Sequence, residues 1–147
     1  MKIAIGCDHG GYVLKESIVD LLVLEQCEVV DVGCNSTASV DYPDFANAVC
    51  QAVLKGDADR GVLICGTGIG MSIAANRFNG IRATLCHEQF TAQMSREHNN
   101  SNVLCLGARV VGPGLALEIV RTWLHTQFGG DRHQRRLDKF AAGCQIS

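Results

Sequence analysis

The stretch that decides the fold is Gly61 to Met71, which reads Gly-Val-Leu-Ile-Cys-Gly-Thr-Gly-Ile-Gly-Met. Its first part, residues 62–64, is a short apolar run typical of a strand that is buried on both faces. Three glycines follow at alternate positions, Gly66, Gly68 and Gly70, and a helical pattern then begins. This order indicates the carboxyl end of a parallel strand, where ligands bind and where helix N-terminal amides face anions. Cys65 lies at this turn.

Strand-like and helix-like patterns alternate on both sides of this stretch. We predict strands over residues 2–7, 28–32, 62–64, 81–86 and 102–106. We predict helices over residues 13–22, 43–53, 71–76, 89–97, 115–128 and 132–142. Right-handed crossovers between such units imply an α/β fold, with one five-stranded parallel sheet between two layers of helices. The fold class is therefore a three-layer αβα sandwich of the Rossmann-like type, and the order of the strands stays open.

Composition limits the size of the fold and the kind of partner. The chain has 147 residues, of which 47% are hydrophobic and 19% charged, and it has only two prolines, so we expect one domain over residues 1–147. A net charge of −2 without a long basic run argues against nucleic acid or a membrane surface as the partner. No charged leader and no long apolar run is found, so we expect a soluble, cytoplasmic protein that binds a small molecule.

Eight cysteines are dispersed along the chain without a C-x-x-C pair or a zinc-type spacing. We therefore expect neither a metal site nor a disulfide framework. Cys50 and Cys105 fall within apolar patterns and are interpreted as small buried hydrophobic residues. Cys65 differs, because its neighbours are glycines at a ligand-binding turn.

Polar side chains follow three of the predicted strands. Asp8 and His9 follow the first strand, Cys65 and Thr67 the third, and Arg109 the fifth. The carboxyl ends of parallel strands share one edge of the sheet, so these side chains are expected to lie together. An acid, an imidazole, a thiol and a hydroxyl at one edge indicate a chemical site.

Each of these residues also has a structural interpretation. Asp8 and Thr67 are suited to capping the helices that follow them, and His9 to an exposed loop. His98 follows a helix, where its charge would favour the helix dipole. Tyr42 is suited to packing at the start of the second helix.

A basic run, Arg132-His133-Gln134-Arg135-Arg136, lies near the end of the chain. Arg132 and Arg136 are four residues apart and share one face of a helix, an arrangement suited to clamping a phosphate. The alternative is a solvated basic helix start. Together with the glycine turn, the run favours an anionic small molecule as the ligand.

Several chemistries do not fit the spacing. The cysteine phosphatase pattern C-x5-R fails because Met71 stands where the arginine is needed. The dinucleotide pattern G-x-G-x-x-G is one residue too short, although Glu88 stands roughly where a ribose-binding acid is found, and no Walker lysine follows a glycine. A cysteine hydrolase that uses Cys65 and His98 stays open.

The sequence resembles the type B ribose-5-phosphate isomerases, a family that includes allose-6-phosphate isomerase and the subunits of galactose-6-phosphate isomerase. Five segments carry the resemblance, in order along nearly the whole chain: Gly6 to Gly11, Asp41 to Pro43, Cys65 to Asn76, Arg96 to Asn99 and Arg132 to Arg136. Some members use a nearby glutamate instead of the cysteine. This chain keeps Cys65 and has no acid in that loop, which fits the cysteine version.

The resemblance implies an interconversion of ribose 5-phosphate and ribulose 5-phosphate, a step of the pentose phosphate pathway, through ring opening and a cis-enediolate. No metal and no redox cofactor are implied. Cys65 would be the thiolate base, favoured by the adjacent helix N-terminus, and Thr67 would hydrogen-bond it. His98 would be the acid and base of ring opening, with Asp8 orienting the sugar hydroxyls.

The resemblance also implies the binding groups. The amides of Gly66, Gly68 and Gly70 and the side chain of Asn99 would stabilise the enediolate. Tyr42 would line the sugar pocket, and the phosphate would be held by His9, Arg109, Arg132 and Arg136. A homodimer, or a dimer of dimers, is implied, with active sites shared between subunits and the region of His98, Asn99 and Arg109 supplied by the partner.

Two alternatives stay open beside the ribose substrate. The six-carbon substrates of the same family would need a deeper pocket, whose walls include the loop over residues 34–40. A non-catalytic sensor of phosphosugars on the same fold would need no reactive Cys65. Replacing Cys65 by alanine separates the sensor from the enzyme.

Overall fold

The computed structural model describes residues 1–141 as five strands and six helices that alternate along the chain. The strands are β1 (Lys2–Cys7), β2 (Glu28–Asp31), β3 (Arg60–Cys65), β4 (Ala83–Leu85) and β5 (Val103–Gly107). The helices are α1 (Tyr12–Leu24), α2 (Tyr42–Lys55), α3 (Ile69–Ala75), α4 (Gln89–Glu97), α5 (Pro113–His125) and α6 (Asp131–Ala141). Among these helices, none combines the length and the apolar character that a membrane span requires.

The strands form one parallel sheet in the order β2-β1-β3-β5-β4, which confirms the predicted α/β sandwich. From β1 the chain crosses to β2 on one side and then returns to β3 on the other side. The connections therefore diverge between β1 and β3, and the carboxyl ends of these two strands form the topological switch point of the sheet. Ligands of open α/β sheets bind at such a point.

The sheet is buried on both faces because alternate strand residues point to opposite sides. Ile5, Ile64 and Leu106 pack with residues of α1, α4 and α5 in one core. Leu63 and Cys105 pack with residues of α2 and α3 in the other. Helices α1 and α3, which follow the two strands of the switch point, thus lie on opposite faces.

Some predicted boundaries differ from the structure. Strand β4 spans three residues instead of the predicted 81–86, because Arg82 turns its amide towards the side chain of Asn102. Helix α5 ends at His125, before the predicted Phe128, since Thr126 is extended and its hydroxyl donates to the Thr122 carbonyl. The predicted end of the last helix at residue 142, and Cys144, lie outside the described residues.

Candidate active site

Cys65 is the last residue of β3, and its sulfur contacts the glycine turn that follows. The Gly68 amide donates a hydrogen bond to Cys65 Sγ over 3.1 Å, and the side chain is 5% exposed. This hydrogen bond fixes the sulfur against the start of the glycine turn. The hydroxyl of Thr67, expected to contact the sulfur, instead accepts from the Ile69 amide.

The turn after Cys65 takes a path that only glycine allows at position 68. Gly68 has a φ of +76°, in the left-handed region. A Cβ there would lie 2.5 Å from Leu85 Cδ1 and 2.9 Å from the Leu106 carbonyl carbon. This close approach is what brings the Gly68 amide back onto the sulfur of Cys65.

Tyr42 lies over the next turn of the same segment. A Cβ on Gly70 would be 2.8 Å from Tyr42 Cζ, so the ring packs directly on the Gly70 backbone. The ring is 39% exposed, so it has one packed face and one open side. Tyr42 is therefore a half-exposed packing residue, as one interpretation predicted, and it also lies beside the glycine turn.

The loop after β1 packs against the same turn. Asp8 is buried, and its Oδ1 accepts from the amides of Gly10 and Gly11 over 2.9 and 3.2 Å. A Cβ on Gly10 would meet the Gly66 nitrogen at 3.1 Å, which shows how closely the two loops approach. Asp8 therefore has a structural role in shaping the loop that faces Cys65.

His9 has a defined orientation and tautomer. Its Nδ1 accepts a hydrogen bond from the Val40 amide over 3.2 Å. An accepting Nδ1 carries no proton, so the neutral ring has its N–H at Nε2. His9 can therefore present a donor to an anion at this edge.

Arg109 also belongs to the Cys65 edge. Its amide donates to the Gly66 carbonyl over 2.9 Å, and a Cβ on Gly66 would lie 3.4 Å from Arg109 Cδ. The guanidinium thus lies beside the glycine turn of its own chain. Arg109 was grouped with His98 in the sequence analysis, but within one chain the two residues lie at different edges of the sheet.

His98 lies at the opposite edge from Cys65. It follows α4, which runs back from the carboxyl edge of the sheet to the amino edge. Four residues later, the Asn102 carbonyl accepts from the Gly61 amide at the start of β3, which marks this end of the chain segment as the amino edge. The five residue steps of β3, at about 3.3 Å each, separate the two edges by about 16 Å. Within one chain the thiol and this imidazole therefore belong to two separate clusters.

The His98 cluster is completed by α6. The Gly129 amide donates to the Glu97 carbonyl over 2.9 Å, which ties the approach to α6 to the end of α4. His133 stacks on His98 with ring centroids 4.2 Å apart and an angle of 11° between the planes. Arg132 and Arg136 stand one turn apart on this helix, and both are exposed.

His133 is the residue that the sequence analysis missed. It is buried, and its pKa is lowered by burial and by its neighbours His98, Arg132 and Arg136, an effect that Glu97 opposes. The basic run was interpreted through its charge alone, so the imidazole within it received no role. The signal that would have found it is its spacing, four residues before Leu137, which places both residues on the buried face of the helix.

A cavity of about 670 Å³ opens beside the His98 cluster. Its walls are residues 76–84, between α3 and β4, together with Asn99 and Leu137. The two edges of the chain thus carry separate clusters of polar side chains. Among the described residues, no three His, Cys, Asp or Glu side chains come together in the way that a metal ion requires.

Comparisons with known proteins identify the family of this chain. The family model described as Ribose/Galactose Isomerase matches residues 3–140. The chain is 53% identical over 141 residues to ribose-5-phosphate isomerase B of Escherichia coli, covering 96% of this chain and 95% of the relative.

Solved structures give the same relationship. Ribose-5-phosphate isomerase B of Clostridium thermocellum has a TM-score of 0.95 and 55% identity, covering 97% of this chain and 96% of that one. The Mycoplasma genitalium enzyme, solved with bound ribulose-5-phosphate, has a TM-score of 0.92 and 43% identity, covering 99% and 97% of the two chains. With its whole fold and nearly its whole length matched, the chain belongs to the ribose/galactose isomerase family and is an enzyme of that class.

Proposed function

We propose that this protein interconverts ribose 5-phosphate and ribulose 5-phosphate by proton transfer through a cis-enediolate. The observation that carries the proposal is the Cys65 sulfur, held 3.1 Å from the Gly68 amide at the switch point of the sheet. The names of the E. coli and C. thermocellum relatives, and the ligand of the M. genitalium structure, support the five-carbon substrate.

Cys65 is the proposed base of the isomerisation. Its thiolate takes the proton from carbon 2 of the open-chain aldose, and the electron pair moves into a carbon–carbon double bond as the carbonyl oxygen becomes negative. The proton of the carbon 2 hydroxyl then passes to oxygen 1, and oxygen 2 forms the new carbonyl as the double-bond electron pair takes the proton from the sulfur onto carbon 1. The Gly68 hydrogen bond supports this role, because it holds the sulfur in a fixed position at the edge where the substrate is proposed to bind.

Stabilisation of the enediolate falls to amides other than that of Gly68, which already donates to the sulfur. The amides of Gly66 and Gly70 are the proposed donors: Gly70 lies on the first turn of α3, whose amides have no partner within the helix, and Gly66 lies in the turn that leads to it. One such donor typically contributes about 3 kcal/mol to transition-state stabilisation. Asn99 of the partner subunit is the proposed side-chain donor.

Ring opening is assigned to His98 of the partner subunit together with Asp8. The separation of the two edges by β3 supports a shared site, since His98 lies far from Cys65 of its own chain. Two copies that pack with the carboxyl edge of one against the amino edge of the other bring these groups together. An exchange of identical contributions in this way fits a twofold homodimer.

The substrate phosphate is assigned to positive groups from both edges. His9 Nε2 and the Arg109 guanidinium come from the Cys65 edge, and Arg132 and Arg136 of the partner subunit come from the other. Two arginines one helical turn apart suit a dianionic phosphate, because each guanidinium binds two oxygens. Tyr42 is the proposed wall of the sugar pocket.

The direct test is proton exchange with the solvent. In deuterium oxide, ribulose 5-phosphate formed by the wild-type protein should carry deuterium at carbon 1 in those turnovers in which the sulfur-bound proton exchanges with the solvent before it returns, as measured by NMR. Cys65→Ala should lower kcat by a factor on the order of 10²–10⁴ while the protein still binds ribose 5-phosphate. Cys27→Ala, at a half-buried cysteine before β2, is the matched control and should keep wild-type turnover.

The alternatives predict different results in the same assay. A phosphosugar sensor would bind ribose 5-phosphate without turnover, and Cys65→Ala would change nothing. A cysteine hydrolase would form an acyl adduct at Cys65, visible by mass spectrometry. Relative kcat/KM values for ribose 5-phosphate, allose 6-phosphate and galactose 6-phosphate decide the sugar, and a higher value for either six-carbon substrate would reject the ribose assignment.

A further inference from the structure

Two thiols outside the proposed catalytic machinery lie side by side. Cys7 Sγ and Cys34 Sγ are 3.7 Å apart, and both residues are buried. Cys7 is the last residue of β1, and Cys34 lies in the segment that follows β2. That segment stays alongside β1, because the Cys34 amide donates to the Cys7 carbonyl over 3.1 Å.

The backbones at this pair are close enough for a covalent bond between the sulfurs. Neighbouring strands lie about 4.8 Å apart, and disulfides form across Cα separations of about 4.4–6.8 Å. The sulfurs must move from 3.7 Å to a bond length of about 2.0 Å, a closure of about 1.7 Å. Residues 35–39, directly after Cys34, are exposed, so this side of the pair has room to adjust.

The surroundings give the two sulfurs different roles. Burial and the contact with Cys34 raise the pKa of Cys7 to about 12, so Cys7 stays protonated. Cys34 is 7% exposed, whereas Cys7 is fully buried, and the Cys34 carbonyl accepts from Lys15 Nζ, which is itself paired with Asp31. Cys34 is therefore the sulfur that a small oxidant meets first, with Cys7 behind it.

The pair is connected to the proposed substrate site at both ends. Cys7 directly precedes Asp8 and His9 in the chain. The segment that begins at Cys34 returns to the same place, since the Val40 amide donates to His9 Nδ1 over 3.2 Å. A disulfide between Cys7 and Cys34 would shift the start of the segment that ends at Val40. It would thus disturb the hydrogen bond from the Val40 amide that orients the His9 ring.

We propose that Cys7 and Cys34 form an oxidisable dithiol that a hydroperoxide converts to an intrachain disulfide. The Cys34 sulfur attacks one peroxide oxygen, the O–O bond breaks, and a sulfenic acid and an alcohol, or water for hydrogen peroxide, are formed. The Cys7 sulfur then displaces the sulfenic hydroxyl, which leaves as water with the Cys7 proton. Overall, two thiols are oxidised and one peroxide is reduced.

The test starts in a Cys65→Ser background, so that oxidation of the proposed base does not interfere. After treatment with hydrogen peroxide, peptide mapping by mass spectrometry should find Cys7 joined to Cys34, and dithiothreitol should reverse the link. Cys65→Ser/Cys34→Ser should lose this link, and Cys65→Ser/Cys27→Ser should keep it. Over-oxidation of Cys34 without a link to Cys7, or a link to another cysteine, would overturn the proposal.

A second measurement tests the effect on the site, and it rests on the proposed function. Calorimetry with ribose 5-phosphate should show that oxidised Cys65→Ser binds about 2- to 10-fold more weakly than the reduced form, the effect of disturbing one hydrogen bond. Oxidised Cys65→Ser/Cys34→Ser should bind as its reduced form does. Equal affinities of oxidised and reduced Cys65→Ser would reject the connection to His9. If reduced Cys65→Ser does not bind the sugar phosphate, the proposed function fails while the peptide map still decides the dithiol.

Discussion

The ring of His133 lies flat on the ring of His98, with centroids 4.2 Å apart and planes inclined by 11°. Two cations cannot share this stack without repulsion, and the two arginines on α6 add further positive charge. The arrangement therefore holds His133 in its neutral form. The sequence contains both imidazoles, but only the fold brings the helix ends that carry them together.

This stack predicts that His133 makes stability depend on pH. Its pKa in the folded protein is lowered, by burial first and by the neighbouring positive groups next, whereas the unfolded chain titrates near the ordinary value of about 6.5. Below about pH 6.5 the unfolded state binds a proton that the folded state resists, so the free energy of unfolding falls as the pH falls. His133→Phe keeps the stacked ring and removes this contribution.

Urea unfolding at about pH 5.5 and about pH 7.5 provides the measurement. The loss of stability between the two values should be smaller in His133→Phe than in the wild type. His87→Gln, at an exposed imidazole, should keep the wild-type difference. An equal or larger loss in His133→Phe would contradict the assignment.

A second prediction concerns the two edges of the sheet. Cys65→Ala and His98→Ala should each be inactive, but a mixture that is allowed to exchange subunits should recover roughly a quarter of wild-type activity. Half of the random dimers are then mixed, and each mixed dimer has one intact site. Initial rates after unfolding and refolding the two variants together measure the recovery.

The control for this mixture also tests the place of Arg109. Cys65→Ala and Arg109→Ala change the same edge, so every site of their mixed dimer keeps one defect. This mixture should be no more active than the sum of its two components. Recovery here would show that Arg109 acts from the partner, and no recovery in the first mixture would reject the shared site.

A third prediction isolates the close approach at Gly68. Gly68→Ala should lower the free energy of unfolding by about 2–4 kcal/mol. The alanine would have to adopt a left-handed backbone conformation, and its Cβ would collide with the Leu106 backbone. Gly56→Ala is the matched control, with a φ of +78° and open space around the new Cβ, and should cost about 1–2 kcal/mol. Equal losses in chemical denaturation would mean that the approach is not tight.

A fourth prediction concerns the anchor behind the His98 edge. The buried Ser101 hydroxyl accepts from Trp123 Nε1 over 2.7 Å and lies 3.0 Å from Ser95 Oγ. Ser101→Ala should destabilise the fold by about 1–3 kcal/mol, because the indole N–H loses its partner. Denaturation followed by the fluorescence of Trp123 measures the loss. Ser17→Ala, on the half-buried side of α1, should change stability by less than about 0.5 kcal/mol, and a similar loss there would contradict the anchor.

Periodicity was sufficient to predict the alternating elements, because the central strands are apolar runs and the helices between them each have one buried face. The length of β4 was not predictable in this way. Ile81 is apolar and looks like part of a strand, but it is bonded into the preceding turn through the Phe78 carbonyl. Strand order was also outside the reach of local patterns, since it depends on how distant segments pair.

The separation of the Cys65 cluster from the His98 cluster could have been predicted from the order of strands and helices in the sequence. Residues after a parallel strand, such as Cys65 and Asp8, collect at the carboxyl edge, whereas residues after a helix, such as His98, collect at the amino edge. Arg109 follows a strand, so the rule places it with Cys65, in agreement with the structure. The hydrogen bond from Gly68 to the sulfur was not predictable, because it depends on the exact path of the turn.

The two clusters lie at opposite ends of β3. If the active site is formed by two subunits, as proposed, a single subunit therefore carries two incomplete sites and no complete active site. At concentrations where copies separate, the rate should therefore fall with the square of protein concentration rather than in proportion to it. Dilution alone would then abolish the activity, although every chain would still be folded and every side chain intact.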